Sequence, residues 1–445
     1  MMNKPKIALV GMCSHFEYGW ERYDALIGAA KDALSASGLD VVVASKPCYT
    51  QLDALQIVDE FKAADVDALA VMYVTWVADS QPYLFTNELP VPSVQWAVPY
   101  TETFSIGCVT EYVQSMTMHG IPFEYVYGMP SDASVIEKIR KVAVAGQIVK
   151  KVSGMRVCLL GPRQTWRVAG PQDMSTEEWQ FSRYFGTTIV HMEIEDITNE
   201  AKKISDADAE AALAAHQDRT GKALVDHSVM LWMAKVYLQT KKVLDEGGID
   251  CIAAECYPMY GGLMNQPSSW LEDEGYIVDT EGDIAHAITK YMLGMASGGN
   301  RAALGEVGSY NEAEGYCEIA HEGSSPASLA ASVDQIQISP LADGCFVGFP
   351  LKPMEHCVLC DFQGADDSYQ MFLVPGKVLP ATHEEWVNGG EKLLIKFSAD
   401  NAKPSKLIDS MITNGFHHHV VVSEGELFEQ MALACKFLGI NVVTL

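Results

Sequence analysis

The sequence predicts two doubly wound α/β domains followed by a mainly antiparallel, barrel-like β domain. Three observations lead to this fold class. Strand-like and helix-like segments alternate over the first two thirds of the chain, which is typical of parallel sheets covered by helices. Short strand-like runs separated by turn residues fill the last third, which indicates an antiparallel sheet. The length of 445 residues exceeds one ordinary core and fits three domains.

The first predicted domain covers residues 1–150. Short apolar runs with many β-branched residues predict its strands: KIALVG at 6–11, VVVA at 41–44, DALAVMYV at 67–74 and SVQWAV at 93–98. Segments with helical periodicity alternate with them, at 20–36, 51–63, 107–119 and 133–151. This alternation predicts a parallel, doubly wound sheet.

The second predicted domain covers residues 151–298. A new strand at 155–160 ends in Gly161-Pro162, and the sequence Ser-Thr-Glu-Glu at 175–178 is a capping box for the next helix. Further strands at 187–193 and 250–254 and a long helix at 226–246 continue the pattern. We therefore expect a second α/β domain.

The third predicted domain covers residues 299–445 and begins after the glycine-rich Ser297-Gly298-Gly299. Short strands with turn residues between them are predicted at 316–320, 333–338, 355–362, 369–374 and 392–398. This spacing favours an antiparallel sheet or small barrel, closed by a final helix and strand.

The composition narrows the possible ligands and the compartment. The formal charge of -27 repels nucleic acid and anionic membranes, so neither is an expected partner. No apolar run is long enough to cross a bilayer, and the N-terminus is typical of a first strand rather than a targeting segment. Eleven cysteines without paired spacings indicate buried thiols in a reducing compartment. We expect a cytoplasmic protein.

Three consecutive histidines, at 417–419, precede the apolar run Val420-Val421-Val422. Because side chains alternate along a strand, His417 and His419 should share one face and His418 should take the other. The valines predict that both faces are buried. Imidazoles at the start of a buried strand need partners, which are a metal ion, acids from earlier in the chain, or backbone carbonyls.

A group of acids lies at a strand-to-helix junction in Asp279-Thr280-Glu281-Gly282-Asp283. Ligands usually gather at this edge of an α/β sheet, beyond the carboxyl ends of the strands. The alternative interpretation is structural, because helix starts favour Asp and Glu electrostatically.

Two further residues extend this set. Glu306, 25 residues after Glu281, is a single carboxylate in a strand of otherwise small and apolar residues, and His321, 15 residues later, ends another strand. A buried acid needs a metal or a proton partner, whereas a single histidine such as His321 is more often structural. Together with His419 these residues form a mixed carboxylate and imidazole set that suits Mn²⁺ or a similar divalent ion better than thiolate-bound zinc.

The order and spacing of these residues resemble the L-fucose/L-arabinose isomerase superfamily. The matching features are the Glu-Gly-Asp that opens a helix, the later acid, the His beyond it, and the His-His before an apolar strand. The tail HHHVVVSEGELFEQMALACKFLGINVV and the segment HEGSSPASLA also resemble members of this group. The resemblance covers the whole chain in architecture, but its motifs begin only near residue 250.

The resemblance implies a metal-dependent aldose–ketose isomerase acting on an open-chain monosaccharide through an enediolate. It implies Glu281 and Glu306 as proton-transfer groups and as metal ligands, with His321 and His419 completing the coordination. Because the two carboxylates lie close together, their proton affinities are expected to move in opposite directions. The resemblance also implies a homo-oligomer, a trimer or hexamer.

The resemblance further implies three substrate-binding residues: His15, Trp76 and His418. The loop Gly11–Gly19 is similar to a sugar-contacting loop but lacks the basic residue that fucose isomerases carry. Trp76 follows a strand, where family members place an aromatic against the sugar; it is equally well explained as a core or interface residue. His418 is expected to support the metal ligands or to contact the sugar.

Several other residues have competing interpretations. The Cys-x-x-Cys pair at 357 and 360 has zinc-knuckle spacing, but buried thiols are favoured because no second pair exists. Glu255 is a weaker rival for the first carboxylate. Arg163 and Arg167 suit either an anionic group on a sugar or salt bridges.

Two other classes of function remain open at this point. One is a metal-dependent sugar epimerase or hydrolase with the same ligands. The other is a non-catalytic sugar-binding or regulatory protein, which doubly wound domains would permit.

Overall fold

The computed structural model describes residues 3–161, 178–254, 260–323, 325–342, 344–365 and 368–445. The chain folds as two compact units. The first comprises Met1–Lys151 and Glu429–Gly439, and the second comprises Val152–Phe428 and Ile440–Leu445. The division into three domains with limits at 150 and 298 stays a prediction. Within the described part of the chain, no helix has the length and apolar character that a bilayer span requires.

The first unit contains a five-stranded parallel sheet. Its strands are β1 (Lys6–Met12), β2 (Asp40–Val43), β3 (Ala68–Tyr73), β4 (Ser93–Ala97) and β5 (Glu124–Tyr127), in the spatial order β2-β1-β3-β4-β5. Five helices follow them along the chain: α1 (Tyr23–Ala36), α2 (Gln51–Ala64), α3 (Ser80–Glu88), α4 (Ser105–Met118) and α5 (Ala133–Gly154).

Helices cover both faces of this sheet. Ile7 and Leu9 of β1 belong to one hydrophobic core together with residues of α1 and α5. Ala8 and Val10, which alternate with them, belong to a second core with residues of α2, α3 and α4. Because successive strand residues point to opposite faces, this division shows that β1 is buried on both sides, as its continuous apolar sequence predicts.

The second unit begins with a four-stranded parallel sheet. Its strands are β6 (Arg156–Leu160), β7 (Thr188–Met192), β9 (Cys251–Ala254) and β10 (Val278–Asp279), in the order β10-β9-β6-β7. A two-residue strand, β8 (Lys222–Ala223), belongs to another sheet. The described helices of this region are α6 (Glu178–Phe185), α7 (Ile194–Ala201), α8 (Asp206–Ala215), α9 (His227–Gly247), α10 (Asn265–Glu274) and α11 (Ile284–Ser297).

The rest of the second unit is mainly antiparallel. Its strands are β11 (Ala302–Asn311), β12 (Tyr316–His321), β13 (Gln337–Leu341), β14 (Gly344–Gly348), β15 (Met354–Ala365), β16 (Ser368–Leu379), β17 (Leu393–Ala399), β18 (His419–Glu424) and β19 (Asn441–Val443). The helices α12 (His383–Asn388) and α13 (Pro404–Thr413) lie between them in sequence, whereas α14 (Phe428–Leu438), which precedes β19, belongs to the first unit apart from its first residue. The main sheet has the order β15-β18-β11-β12-β17-β16-β19, and β13 pairs with β14 and β8 in a smaller sheet.

The predicted fold class is confirmed in its main features. Parallel α/β sheets occupy the earlier part of the chain and an antiparallel sheet occupies the C-terminal part. The barrel stays a prediction, which the additional pairing of β15 with β16 favours because it links six strands in a ring. The strand predicted at 333–338 is wrong in its first half: residues Val333–Gln335 form a 3₁₀ turn, and β13 begins at Gln337.

Candidate metal centre

The candidate centre lies in the second unit, where the end of β10 meets β11, β12 and β18. In the antiparallel register, Glu306 of β11 lies opposite His419 on one side and opposite Ala320 on the other. His321 follows Ala320 at the end of β12. Strand pairing therefore brings Glu306, His321 and His419 to one place, although they are far apart in sequence.

Glu281 reaches the same place from the turn between β10 and α11. The buried Asp279 shapes this turn, because its Oδ1 accepts hydrogen bonds from the backbone N–H of Glu281 at 2.9 Å and of Asp283 at 3.2 Å. Gly282 between them has a φ of 75°, a left-handed conformation that glycine adopts without strain. Asp283 then caps α11 by accepting a hydrogen bond from the His286 N–H at 3.0 Å.

The structure brings together all four predicted metal ligands. Each of Glu281, Glu306, His321 and His419 offers one ligand atom, and these four atoms lie within 4.8 Å of one another. Glu281 places Oε1 3.4 Å from His321 Nε2 and Oε2 3.6 Å from His419 Nε2. The Nε2 atom of His419 also lies 3.8 Å from Glu306 Oε1. Two carboxylates and two imidazoles in this arrangement could hold a divalent ion.

Glu306 is less buried than the sequence predicts. Its side chain is 41% exposed, whereas His419 opposite it is fully buried. The pairing of β11 with β12 shifts register between Val307 and Ser309, directly after Glu306. The regular two-sided burial of β11 ends there, so Glu306 lies at the open side of the cluster.

His419 is oriented for ligation by the buried Asp283. The His419 Nδ1–H donates to Asp283 Oδ2 at 3.0 Å, and both side chains are fully buried. In the neutral ring this hydrogen bond assigns the proton to Nδ1, so that the lone pair of Nε2 faces the two glutamates. The Nε2 atom is buried and has no hydrogen-bond partner. A carboxylate, a histidine and a metal in this order form a common metal-site arrangement.

His321 is oriented differently. Its Nδ1 accepts a hydrogen bond from the Gly323 N–H at 2.9 Å, so in the neutral ring the proton lies on Nε2. Ligation through Nε2 would require this proton to leave and the Gly323 hydrogen bond to break. Gly323 must be glycine at this contact, because a Cβ there would lie 2.0 Å from His321 Cε1.

The electrostatics keep both glutamates ionised. Burial acts to raise the pKa of Glu281, but His321 and His419 outweigh it and the pKa is lowered. The pKa of Glu306 is lowered to about 2, chiefly by its hydrogen bond with His418. The expected opposite shifts of the two carboxylates are therefore wrong for the metal-free site, because each glutamate has histidine partners that outweigh repulsion between the acids.

His418 contacts the cluster from the solvent side. Its Nε2 lies 3.3 Å from Glu306 Oε1, and the side chain is 48% exposed. The alternation of side chains predicts that His418 points away from His419, yet both reach Glu306. This is possible because β18 begins only at His419 and the Glu306 side chain lies at the open side of the cluster.

A second group of buried residues extends from Asp283 away from the four candidate ligands. His286 Nδ1 lies 2.6 Å from Asp283 Oδ2, and its Nε2 lies 3.4 Å from Asp361 Oδ1. The same Asp361 oxygen lies 3.1 Å from His417 Nδ1. Burial acts to lower the pKa of His286, but Asp283 and Asp361 raise it well above its usual value. Sequence reasoning missed Asp361, although a single acid in an apolar strand is the signal that indicated Glu306.

The other two predicted substrate residues lie in the first unit. His15 is exposed just after β1, with its ring stacked on Tyr49 at 3.8 Å and edge-on to Trp20 at 4.7 Å. Trp76 follows β3, is partly buried and packs against the hydrophobic core formed with α2, α3 and α4. The loops carrying them meet at the carboxyl edge of the sheet, where the Ser14 N–H donates to Thr75 Oγ1 at 2.8 Å. Their contact with sugar stays a prediction.

Some of the sequence-based candidates lie outside the described residues: Glu255, Arg163, Arg167 and most of the capping box at 175–178. The ten described cysteines are buried and form no disulfide, including Cys357 and Cys360 in β15. This agrees with the interpretation of the Cys-x-x-Cys pair as buried thiols.

Comparison with curated proteins identifies several sugar isomerases. The sulfoquinovose isomerase of Clostridium sp. (strain MSTE9) is 21% identical over 331 residues, which cover 72% of this chain and 71% of that enzyme. The sulfoquinovose isomerase of Priestia megaterium (strain ATCC 12872 / QMB1551) is 21% identical over 309 residues, covering 65% of this chain and 66% of that enzyme. The sulfoquinovose isomerase of Alkalicoccus urumqiensis is 20% identical over 276 residues, covering 59% and 61%.

No protein-family model matches the chain. Among solved structures, a periplasmic solute binding protein from Actinobacillus succinogenes 130z with bound D-allose covers 66% of this chain and 92% of its own at 13% identity. Its TM-score of 0.19 is too low to support any conclusion. The sequence comparison does support a conclusion: the chain is similar to curated sugar isomerases over most of its length.

Proposed function

We propose that this chain is a divalent-metal-dependent isomerase that interconverts an aldose and a ketose, acting on an open-chain monosaccharide through an enediolate. The observation that carries the proposal is the convergence of Glu281, Glu306, His321 and His419 within 4.8 Å. The relatives support the class of enzyme, because the four curated matches are sugar isomerases, which are intramolecular oxidoreductases.

The residues fit a divalent ion, for which Mn²⁺ is our proposal. His419 presents a buried Nε2 without a hydrogen-bond partner, oriented by Asp283. Glu281 and Glu306 are ionised, as ligands must be, because their pKa values are lowered. His321 would join them after giving up the Gly323 hydrogen bond. Oxygen and imidazole donors together suit a borderline ion. A bound ion of this kind supplies Lewis-acid polarisation of the sugar oxygens.

The two carboxylates are proposed to move the proton between C1 and C2. Isomerisation removes a proton from one carbon and returns a proton to its neighbour, so an ionised carboxylate must accept it and a protonated group must donate it. Glu306, at the open side of the cluster, can reach a sugar from solvent, while the more enclosed Glu281 is held between two histidines. His418, in contact with Glu306, is proposed to orient it or to bind a sugar hydroxyl.

The substrate is proposed to be a small sugar. The relatives are sulfoquinovose isomerases, so sulfoquinovose, a sugar with an anionic sulfonate, belongs in any test of specificity. His15 and Trp76 are proposed as sugar-contacting residues, as the resemblance implies. Assembly into a trimer or hexamer, as in the resembling family, remains part of the proposal.

A panel assay tests the proposed function. The protein is stripped of metal, reloaded with Mn²⁺, and incubated with pentoses, hexoses, deoxyhexoses and acidic sugars including sulfoquinovose. We expect conversion of at least one aldose to its ketose, and loss of that conversion when the metal is removed. Chromatographic separation of the two sugars provides the measurement.

Two results would count against the proposal. Epimerisation or hydrolysis without any ketose would favour the other metal-dependent reaction. Tight sugar binding without turnover, unchanged in Glu281→Gln, would favour a non-catalytic binding protein.

A further inference from the structure

A second set of potential metal ligands lies behind the candidate centre. His286 of α11, Asp361 of β15 and His417, which precedes β18, offer ligand atoms that lie within 4.8 Å of one another. We propose that these three residues form a second divalent-cation site, distinct from the one at Glu281, Glu306, His321 and His419, and that it takes Zn²⁺ or a similar borderline ion.

The burial of these groups is the first argument. His286 and Asp361 are fully buried, and the side chain of His417 is 14% exposed. Both carboxylate oxygens of Asp361, the Nε2 of His286 and the Nδ1 of His417 are buried without a hydrogen bond of acceptable geometry. Leaving one buried polar group unsatisfied costs about 1–3 kcal/mol, and more when it is charged. A metal cation bound between the Asp361 carboxylate and the two imidazoles would therefore satisfy ligand atoms that form no hydrogen bond.

The distances are the second argument. Asp361 Oδ1 lies 3.4 Å from His286 Nε2 and 3.1 Å from His417 Nδ1. Charge-assisted N–H···O bonds are shorter, about 2.7–2.9 Å. With zinc–ligand bonds of about 2.0–2.2 Å, two ligands of a tetrahedral ion lie about 3.3–3.5 Å apart. The observed separations are thus close to those of atoms that share an ion.

The orientation of His286 is the third argument. Its Nδ1 faces Asp283 Oδ2 at 2.6 Å, and its Nε2 faces Asp361 Oδ1 at 3.4 Å, so Nε2 is the atom that His286 presents to the proposed site. The same Asp283 oxygen accepts the Nδ1–H of His419. One buried carboxylate therefore orients two histidines, and each presents its Nε2 to a different ligand set. Metal-bound histidines commonly have this second carboxylate partner.

The donor set favours a particular class of ion. Two imidazole nitrogens and one carboxylate form the His₂-carboxylate combination that zinc accepts, whereas Mg²⁺ and Ca²⁺ prefer oxygen ligands. The second oxygen of Asp361, which has no hydrogen-bond partner, is available to complete the coordination.

Metal stoichiometry tests this proposal. The full chain is stripped with a chelator, reloaded with Zn²⁺, desalted and measured for metal per chain by mass spectrometry. We expect two ions in the native protein, one in Asp361→Asn and one in the double variant Glu281→Gln/Glu306→Gln. Asp409→Asn, a matched change at an exposed position of α13, should retain two.

The outcomes separate this proposal from the proposed isomerase function. Two ions retained in Asp361→Asn would overturn the second site without affecting the first. A single ion in the native protein that is lost in Glu281→Gln/Glu306→Gln would do the same. If Asp361→Asn fails to fold, His417→Gln replaces it, because His417 is partly exposed. That variant should also bind one ion, and retention of two would overturn the proposal. Visible absorption of the Co²⁺-loaded protein gives an independent readout. In the Glu281→Gln/Glu306→Gln background, only proteins that keep the second site should show the Co²⁺ absorption.

Discussion

The Nδ1 of His419 donates a hydrogen bond to Oδ2 of Asp283 across 3.0 Å, and both side chains are fully buried. This contact joins a residue at the start of β18 to the N-cap of α11. It fixes both the ring orientation and the proton position of His419, so the predicted ligand atom, Nε2, faces Glu281 and Glu306 before any ion binds.

Replacing Asp283 should weaken metal binding. Asp283→Asn keeps the size of the side chain but removes the charge and offers an N–H where His419 needs an acceptor. Loss of such a supporting carboxylate typically reduces metal affinity about 10–100-fold. Equilibrium dialysis against Mn²⁺ measures the change. Asp226→Asn is the control, because Asp226 is also a helix N-cap but is exposed and makes no capping bond through its side chain. Equal affinities in the two variants would contradict the orienting role.

The two candidate histidine ligands should differ in importance. His419 is already oriented for ligation, whereas His321 must give up the hydrogen bond that its Nδ1 accepts from Gly323. Such a bond contributes about 1 kcal/mol, which offsets the gain from ligation by His321. We therefore expect a larger loss of Mn²⁺ affinity in His419→Gln than in His321→Gln. Isothermal titration calorimetry of both variants measures the difference, and a larger loss in His321→Gln would contradict the assigned proton positions.

The contact between His418 and Glu306 should make stability depend on pH in the metal-free protein. The pKa of Glu306 in the folded chain, about 2, lies below its usual value of 4.5. A carboxyl with a lowered folded-state pKa stabilises the fold above the unfolded pKa and loses this contribution as the pH falls through the folded value. The free energy of unfolding of the native protein should therefore exceed that of His418→Gln at pH 5. This difference, the stability gap, should narrow towards pH 3.

The size of this effect is limited by solvent. Because Glu306 is 41% exposed, the gap at pH 5 should stay below about 1 kcal/mol. Urea unfolding with chelator present provides the measurement. The matched control is His356→Gln, since His356 is 67% exposed and lies 3.8 Å from Glu426. A gap that widens on acidification would show that His418 does not lower the pKa of Glu306.

The fold could be predicted where the apolar pattern is simple. The strand predicted at 6–11 is β1 (Lys6–Met12), and the helix predicted at 51–63 is α2 (Gln51–Ala64). The notable omission is α10, whose sequence NQPSSWLEDE has no apolar periodicity. Its first eight residues are nevertheless buried, so polar groups occupy positions that a sequence pattern assigns to the surface. Tertiary contacts, rather than local preference, determine such a helix.

The candidate site could be predicted only in part. Glu281, Glu306, His321 and His419 were identifiable because each follows a recognisable pattern, a helix start, a lone acid in a strand or a strand end. The roles of Asp283 and His286 could not be predicted from the sequence. An Asp at a helix start and a His three residues later are also expected in an ordinary capped helix. Their importance depends on Asp361 and His417, which only the folded sheet brings near them.

Hydrogen exchange at the sugar carbon tests directly the proposal that Glu281 and Glu306 move a proton within the metal-loaded site. The Mn²⁺-loaded protein is incubated with its aldose substrate in D₂O, and deuterium at C1 and C2 is followed by NMR. The matched control is Glu318→Gln, a partly buried glutamate on the neighbouring strand β12. We expect exchange in the native protein and in Glu318→Gln, and its loss by about 100-fold or more in Glu306→Gln. Absence of exchange with every sugar, or undiminished exchange in Glu306→Gln, would contradict it.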